Sequence, residues 1–283
     1  MQAEPMNPDS PAVVSAVQWL AAHALPAFGG VLVLLLLVTS AVWLSLSRYG
    51  LRQAESRFSP LSYLLAYLLA GFALIAGAAA LFAEIAENLG DGRKLGQLDL
   101  LFSNALQVHV TRPTLQVFAS LTHMGDPLTL AAIGSAVALV LLWQRHFLLC
   151  ATWALAVVGN GLLNPALKSI FARARPLHEH GLAAASGFSF PSGHASGSVV
   201  AYGMLAYVLV RLLPAPWSAA RLPVVLAAAA IACTVGSSRV FLQLHFASDV
   251  LAGFASGAAW LGVCIAAAEL ARYRRARRMG LAR

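Results

Sequence analysis

The 283-residue sequence predicts an all-α fold, a polytopic bundle of transmembrane helices. Three observations predict it. Hydrophobic residues make up 59% of the chain and charged residues 11%, where a soluble domain carries about 25% charge. Mean hydropathy is +0.75. Apolar runs almost free of charge recur at about the 20-residue length that crosses a hydrocarbon core. A soluble enzyme, a disordered regulator and a secreted disulfide scaffold are excluded, because too little polar surface is available to face water.

Residues 1–11 read as a disordered acidic tail carrying Glu4 and Asp9, and 12–25 as a short amphipathic helix on the membrane surface. A secretory signal needs a basic leading segment, and the first Lys or Arg is Arg48, so no cleaved signal peptide is expected. Seven spans follow: 26–47, 58–83, 127–144, 147–167, 193–210, 222–238 and 250–268. Pro60 suits the first turn of the second. Gly253 and Gly257 place small residues four apart on the last, a pattern of close helix packing. Residues 84–126 alternate polar and apolar positions below membrane length and read as short helices on the outer surface. Residues 168–192, rich in Pro, Gly and Ser, read as a functional loop.

Charge sets the orientation. Arg48, Arg52, Arg57, Arg145, Arg211 and Arg221 join six arginines of the tail 271–283 on one side, making 12 of the 19 Lys and Arg. Positive residues favour the cytoplasm, so the tail is expected inside and the N-terminus outside. The net charge of +8 therefore reflects membrane topology, and no nucleic-acid partner is expected. Cys150, Cys233 and Cys264 lie within apolar stretches and read as small buried hydrophobes.

Three polar clusters fall at the outer ends of the later spans, where polar groups are costly and mark function. Lys168, Arg173 and Arg175 leave the fourth span as an anion clamp, although snorkelling to headgroups explains such cations equally well. Pro191-Ser192-Gly193-His194 opens the fifth span, where free first-turn amides attract anions. Read blandly, this is a helix cap with a nearby His. Ser238, Arg239, His245 and Asp249 join the sixth span to the seventh. If that stretch is helical, His245 and Asp249 share one face and can hydrogen-bond; Asp249 alone also suits a helix cap.

Taken together, K-x6-R-P (Lys168, Arg175, Pro176), P-S-G-H (191–194) and S-R-x5-H-x3-D (238–249) resemble the tripartite signature of the type 2 phosphatidic acid phosphatase (PAP2) superfamily, in its integral-membrane lipid-phosphatase branch. Every signature position is matched. The resemblance implies a six-helix phosphatase domain over about 60–270, preceded by an additional helix at 26–47. It implies hydrolysis of a lipid phosphate through a phosphohistidine, without metal or other cofactor. His245 would be the nucleophile, Asp249 its orienting carboxylate and His194 the general acid and base. Lys168, Arg175, Ser192, Gly193 and Arg239 would hold the phosphate oxygens, with Arg173 as an additional contact.

Undecaprenyl pyrophosphate, phosphatidylglycerol phosphate, phosphatidic acid, diacylglycerol pyrophosphate and lipid A phosphate are all compatible substrates. Arg-rich composition and the lack of an N-x-[ST] sequon fit a bacterial inner membrane, with the site facing the periplasm. Two alternatives share the signature or its remains. A vanadate-dependent haloperoxidase uses the same cradle, but its known relatives are soluble. A non-catalytic lipid-phosphate binding or transport protein would be expected to have lost one of the His or the Asp, and all three are present.

Overall fold

The structure is a computed structural model describing residues 10–53, 60–89, 93–176, 182–183 and 185–279. Ten α-helices are found among them: α1 (Pro11–Ala22), α2 (Ala24–Gln53), α3 (Pro60–Glu87), α4 (Lys94–His109), α5 (Arg112–Thr122), α6 (Pro127–Trp143), α7 (Phe147–Phe171), α8 (Gly193–Leu212), α9 (Arg221–Phe241) and α10 (Ala247–Arg278). Most of the acidic tail expected over 1–11 lies outside the described residues. Its end does not follow the expectation: Pro11 already opens α1, with the Ser10 hydroxyl accepting from Val13 N at 3.4 Å.

The protein is an all-α polytopic membrane bundle. Among the described residues, five helical segments are long and apolar enough to cross a bilayer: Ala24–Ser45, Phe147–Phe171, Gly193–Leu212, Ala215–Phe241 and Ala247–Arg275. Leu34, Leu37, Phe72, Leu139 and Leu162 are between 61% and 71% exposed, which suits side chains that face lipid. The short helices expected over 84–126 are α4 and α5. Helix α5 runs through a 3₁₀ turn, His123–Gly125, into α6 with a bend of 41°, and together the pair has the length and hydropathy of a broken span or a re-entrant loop.

Helix α8 holds the bundle together. Its Val200, Met204 and Val208 pack with Trp153 of α7 and Cys264 of α10, and each of the five is at most 2% exposed. The indole of Trp153 donates to Gly134 O at 2.8 Å and that of Trp260 to Ala156 O at 2.9 Å, tying α7 to α6 and α10. Gly253 and Gly257 let α10 lie directly against α8. A Cβ at Gly253 would stand 2.6 Å from Ser192 O, and one at Gly257 2.8 Å from Ser196 O. That approach aligns the N-termini of α8 and α10, and Ser192 N donates to Asp249 O at 2.9 Å.

The two ends of the bundle differ in chemistry. At one end, Arg145, His146, Arg272 and Arg275 line a hollow of about 370 Å³. At the other, the end of α7, the start of α8, the end of α9 and the start of α10 meet, bringing the three motif segments together. A second core there stacks Phe118 of α5 on Phe241 of α9, at 4.3 Å between centroids, with Phe28 of α2 edge-on to both.

Candidate active site

Helix α7 ends at Ala172, which adopts φ 45° and turns the chain back. This left-handed residue separates the cations that the sequence groups together. Lys168, in the last helical turn, points its ammonium at the carbonyls of Phe188 and Ser189. Beyond the turn, the Arg175 guanidinium is fixed by the loop that wraps it. It donates to Gly187 O at 3.0 Å, Ser186 O at 3.1 Å, Phe188 O at 3.2 Å and Leu244 O at 2.6 Å.

Arg175 also stands 3.0 Å from His245 Nε2. A guanidinium can only donate, so Nε2 accepts and the ring proton lies on Nδ1. That nitrogen faces Ser189 Oγ at 3.3 Å and Asp249 Oδ2 at 3.4 Å. The Ser189 hydroxyl in turn donates to Asp249. His245 is 3% exposed, and burial pushes its pKa down to about 3 against the pull of Asp249. The imidazole is thus neutral, with a lone pair on Nε2 and its tautomer set from behind.

His245 does not share a helical face with Asp249, contrary to the sequence expectation. It sits in the turn 242–246, where Gln243 adopts φ 54°, and α10 begins only at Ala247. Asp249 is in the first turn of α10, and its carboxylate also accepts from Phe246 N at 3.0 Å. Asp249 is thus not the N-cap, which is Phe246, but sits at the third helical position and closes back on the cap's amide while facing His245.

Lys168, Arg175, Gly193, His194, Arg239 and His245 line one cavity of about 680 Å³. Ser192 and Arg173 are placed differently from expectation. Ser192 is fully buried, and its hydroxyl caps α8 by accepting from Ala195 N at 3.4 Å. Arg173 is drawn away by carboxylates. It reaches Asp99 Oδ2 at 2.8 Å, Asp249 Oδ1 at 2.6 Å and Ser248 Oγ at 2.8 Å, over the ring of Phe246. Arg173 therefore positions Asp249 and does not line the cavity.

Arg239 is 3% exposed and donates to Thr122 Oγ1 at 3.0 Å. Its Nε is buried with no hydrogen-bond partner among the described residues, a costly state unless an anion is the intended acceptor. Arg239→Ala should lower kcat by about 10²–10³-fold, the usual loss for one donor to developing charge. The fold should persist, because no ion pair to Arg239 exists among the described residues and its removal strands no carboxylate. Steady-state kinetics beside thermal unfolding in detergent checks both parts.

Four partners lie outside the motif segments: Asp126, which accepts from His194 Nε2 at 2.9 Å, together with Asp99, Thr122 and Ser189. Asp99 and Asp126 carried a weak signal, a carboxylate in apolar surroundings at a span edge. Thr122 and Ser189 carried none. Among the described residues, no group of three or more His, Cys, Asp or Glu is arranged to hold a metal ion.

A buried imidazole–carboxylate pair facing convergent cations at one end of a membrane bundle defines a phosphate-handling membrane protein. The PAP2 superfamily profile matches residues 145–273, and the chain belongs to that superfamily, in its membrane-associated lipid-phosphatase branch. It is 37% identical over 152 residues to phosphatidylglycerophosphatase B of Bacillus subtilis, covering 50% of this chain and 69% of that protein. It is 31% identical over 153 residues to lipid A 1-phosphatase of Rhizobium johnstonii, covering 50% of this chain and 54% of that protein. The crystal structure of a transmembrane PAP2-type phosphatidylglycerolphosphate phosphatase from Bacillus subtilis superposes with a TM-score of 0.62 at 29% identity, covering 69% of this chain and 96% of that one.

Proposed function

We propose that the protein hydrolyses a lipid phosphate monoester or pyrophosphate through a phosphohistidine on His245, without a metal ion. The observation that carries this reading is the lone pair of His245 Nε2, held toward the cavity by a proton on Nδ1 and paired in the free enzyme with Arg175. A phosphoryl group in the cavity draws Arg175, Lys168, Arg239 and the Gly193 amide to its equatorial oxygens, and Nε2 attacks phosphorus as the ester oxygen departs. His194 protonates that oxygen, then takes a proton from the water that cleaves the N–P bond. Asp249 steadies the positive ring while it carries phosphate.

The shape of the cavity supports a lipid. Below the cations it is lined mainly by apolar residues, Leu130, Ala131, Val157, Pro165, Val200 and Ala201, with Gly161 and the amides of Asn160 and Asn164 among them. Along α7 the lining runs from Lys168 to Val157, about 16 Å at 1.5 Å per residue, roughly half of a 30 Å hydrocarbon core. A headgroup fits one end and an alkyl chain the other. The names of the relatives support the same class, with phosphatidylglycerol phosphate and lipid A phosphate among the substrates to test.

The architecture follows the same reading. With α3 as a further span packed along α10, the phosphatase domain is a six-helix core over 60–270. Helix α2 is an addition before it, following the tail and α1 within 1–25, and 271–283 is a basic tail. The cation-rich hollow at the opposite end supports a cytoplasmic C-terminus, a site open to the periplasm and an inner-membrane location.

The test is phosphate release from a panel of lipid phosphates in detergent with EDTA, comparing the native protein with Gly161→Leu. A Cβ at Gly161 meets nothing within 4 Å, so a leucine side chain has open space to enter there, and it improves helix propensity. The variant should lose about 10- to 200-fold in kcat/KM on long-chain phosphatidic acid, and little on a short-chain analogue. Equal effects on both would overturn the assignment of the apolar end. A native protein that releases no phosphate from any lipid would overturn the function.

A further inference from the structure

Asp126 holds the N-cap position of α6, with Pro127 next, yet makes no side-chain cap bond. An Asp at that position ordinarily accepts from the second or third amide of its helix. Here both oxygens are turned to imidazoles: Oδ1 to His194 Nε2 at 2.9 Å and Oδ2 to His123 Nδ1 at 2.7 Å. Burial opposes ionisation of Asp126, but the hydrogen bonds from both rings outweigh it and hold the carboxyl below its usual range. Gly125 keeps the ring close, since a Cβ there would stand 3.0 Å from His194 Cδ2.

We propose that Asp126 is the positioning residue of the general acid and base, doing for His194 what Asp249 does for His245. The proposal rests on the phosphohistidine reading. A carboxylate can only accept, so the neutral His194 ring carries its proton on Nε2. Nδ1 is then the nitrogen left to exchange a proton with substrate. Arg175 and Arg239 line the same cavity, so an imidazolium at His194 needs a nearby negative charge, and Asp126 supplies it.

Burial and the Arg239 charge hold the resting His194 ring neutral. In the first step Nδ1 therefore takes up the acidic proton of the bound phosphate monoester monoanion and gives it to the ester oxygen as the P–O bond breaks and the P–Nε2 bond to His245 forms. In the second, Nδ1 takes a proton from water as the new P–O bond forms and P–Nε2 breaks. Asp126 remains a carboxylate throughout. His123, exposed on the outer side, fixes the carboxylate in the orientation that serves His194.

The experiment compares the full-length native protein with Asp126→Asn, an isosteric change that retains a good cap residue. On dioctanoyl phosphatidic acid, whose alkoxide leaves only with a proton, kcat should fall about 10²-fold, with KM within about 3-fold. With p-nitrophenyl phosphate, whose phenolate leaves unaided, the rate of the p-nitrophenol burst should fall less than about 10-fold. Steady-state turnover should still fall, because hydrolysis of the intermediate needs the base. Equal losses in the burst and in the lipid reaction, or a loss confined to KM, would overturn the proposal. A native protein that carries no phosphate on His245 when quenched during turnover would overturn the phosphohistidine reading beneath it.

Discussion

Replacing His245 by Ala is expected to lower phosphate release by about four orders of magnitude or more, the scale on which nucleophile–base assemblies fail when a member is lost. No other imidazole takes its place: His194 is committed to Asp126 through Nε2. The cationic cradle survives, because Arg175 keeps its bonds to the carbonyls of Ser186, Gly187, Phe188 and Leu244. The variant should therefore still bind vanadate or product phosphate while turning over nothing. His245→Gln, which retains a polar group in the buried turn, guards against loss of fold. Phosphate release, phosphate binding and thermal unfolding of both variants check the expectation.

Arg173→Ala should act in the opposite way, on stability first. Its guanidinium lies between two buried carboxylates, Asp99 at 5% exposure and Asp249 at 0%. Burial already lifts the Asp99 carboxyl above its usual range, against the opposing bonds from Ser248 and Arg173. Removing the shared cation leaves two uncompensated acids, and loss of one partner from a buried ion pair typically costs about 3–5 kcal/mol. Asp249 would also lose the bond that aims it, so activity falls with the fold. Adding Asp99→Asn to Arg173→Ala should recover part of the stability, because one stranded charge is gone. Thermal unfolding of the single and double variants reads this directly, and no recovery in the double variant would contradict it.

The bundle was legible in the sequence because hydropathy over 20-residue windows averages out local detail. Every span boundary from 127 onward lies within a few residues of a helix end, apart from the C-terminus of α10, which runs on to Arg278. How the 84–126 segment joins α6 was less legible. The bend between α5 and α6 depends on the turn at 123–125, and nothing in composition distinguishes a broken span from a surface helix.

At the site, residue identities were readable but several of their partners were not. Lys168, Arg173 and Arg175 look equivalent along the chain; the left-handed Ala172 and the long-range pull of Asp99, 74 positions away, send Arg173 elsewhere. Ser192 carried both a cap and a ligand reading, and packing against Gly253 places it with the cap. His245 and Asp249 were paired for the right spacing by the wrong geometry. A turn entering a helix brings i and i+4 together as effectively as a helical face does.

The most direct test is to quench the enzyme during turnover of ³²P-labelled lipid phosphate and map the label by mass spectrometry under alkaline conditions, which preserve phosphohistidine. The account predicts an acid-labile phosphate on His245, absent in His245→Ala and enriched when His194 is replaced and the bound phosphoryl group cannot be hydrolysed. A turning-over enzyme with no label, or with label on another residue, would contradict it.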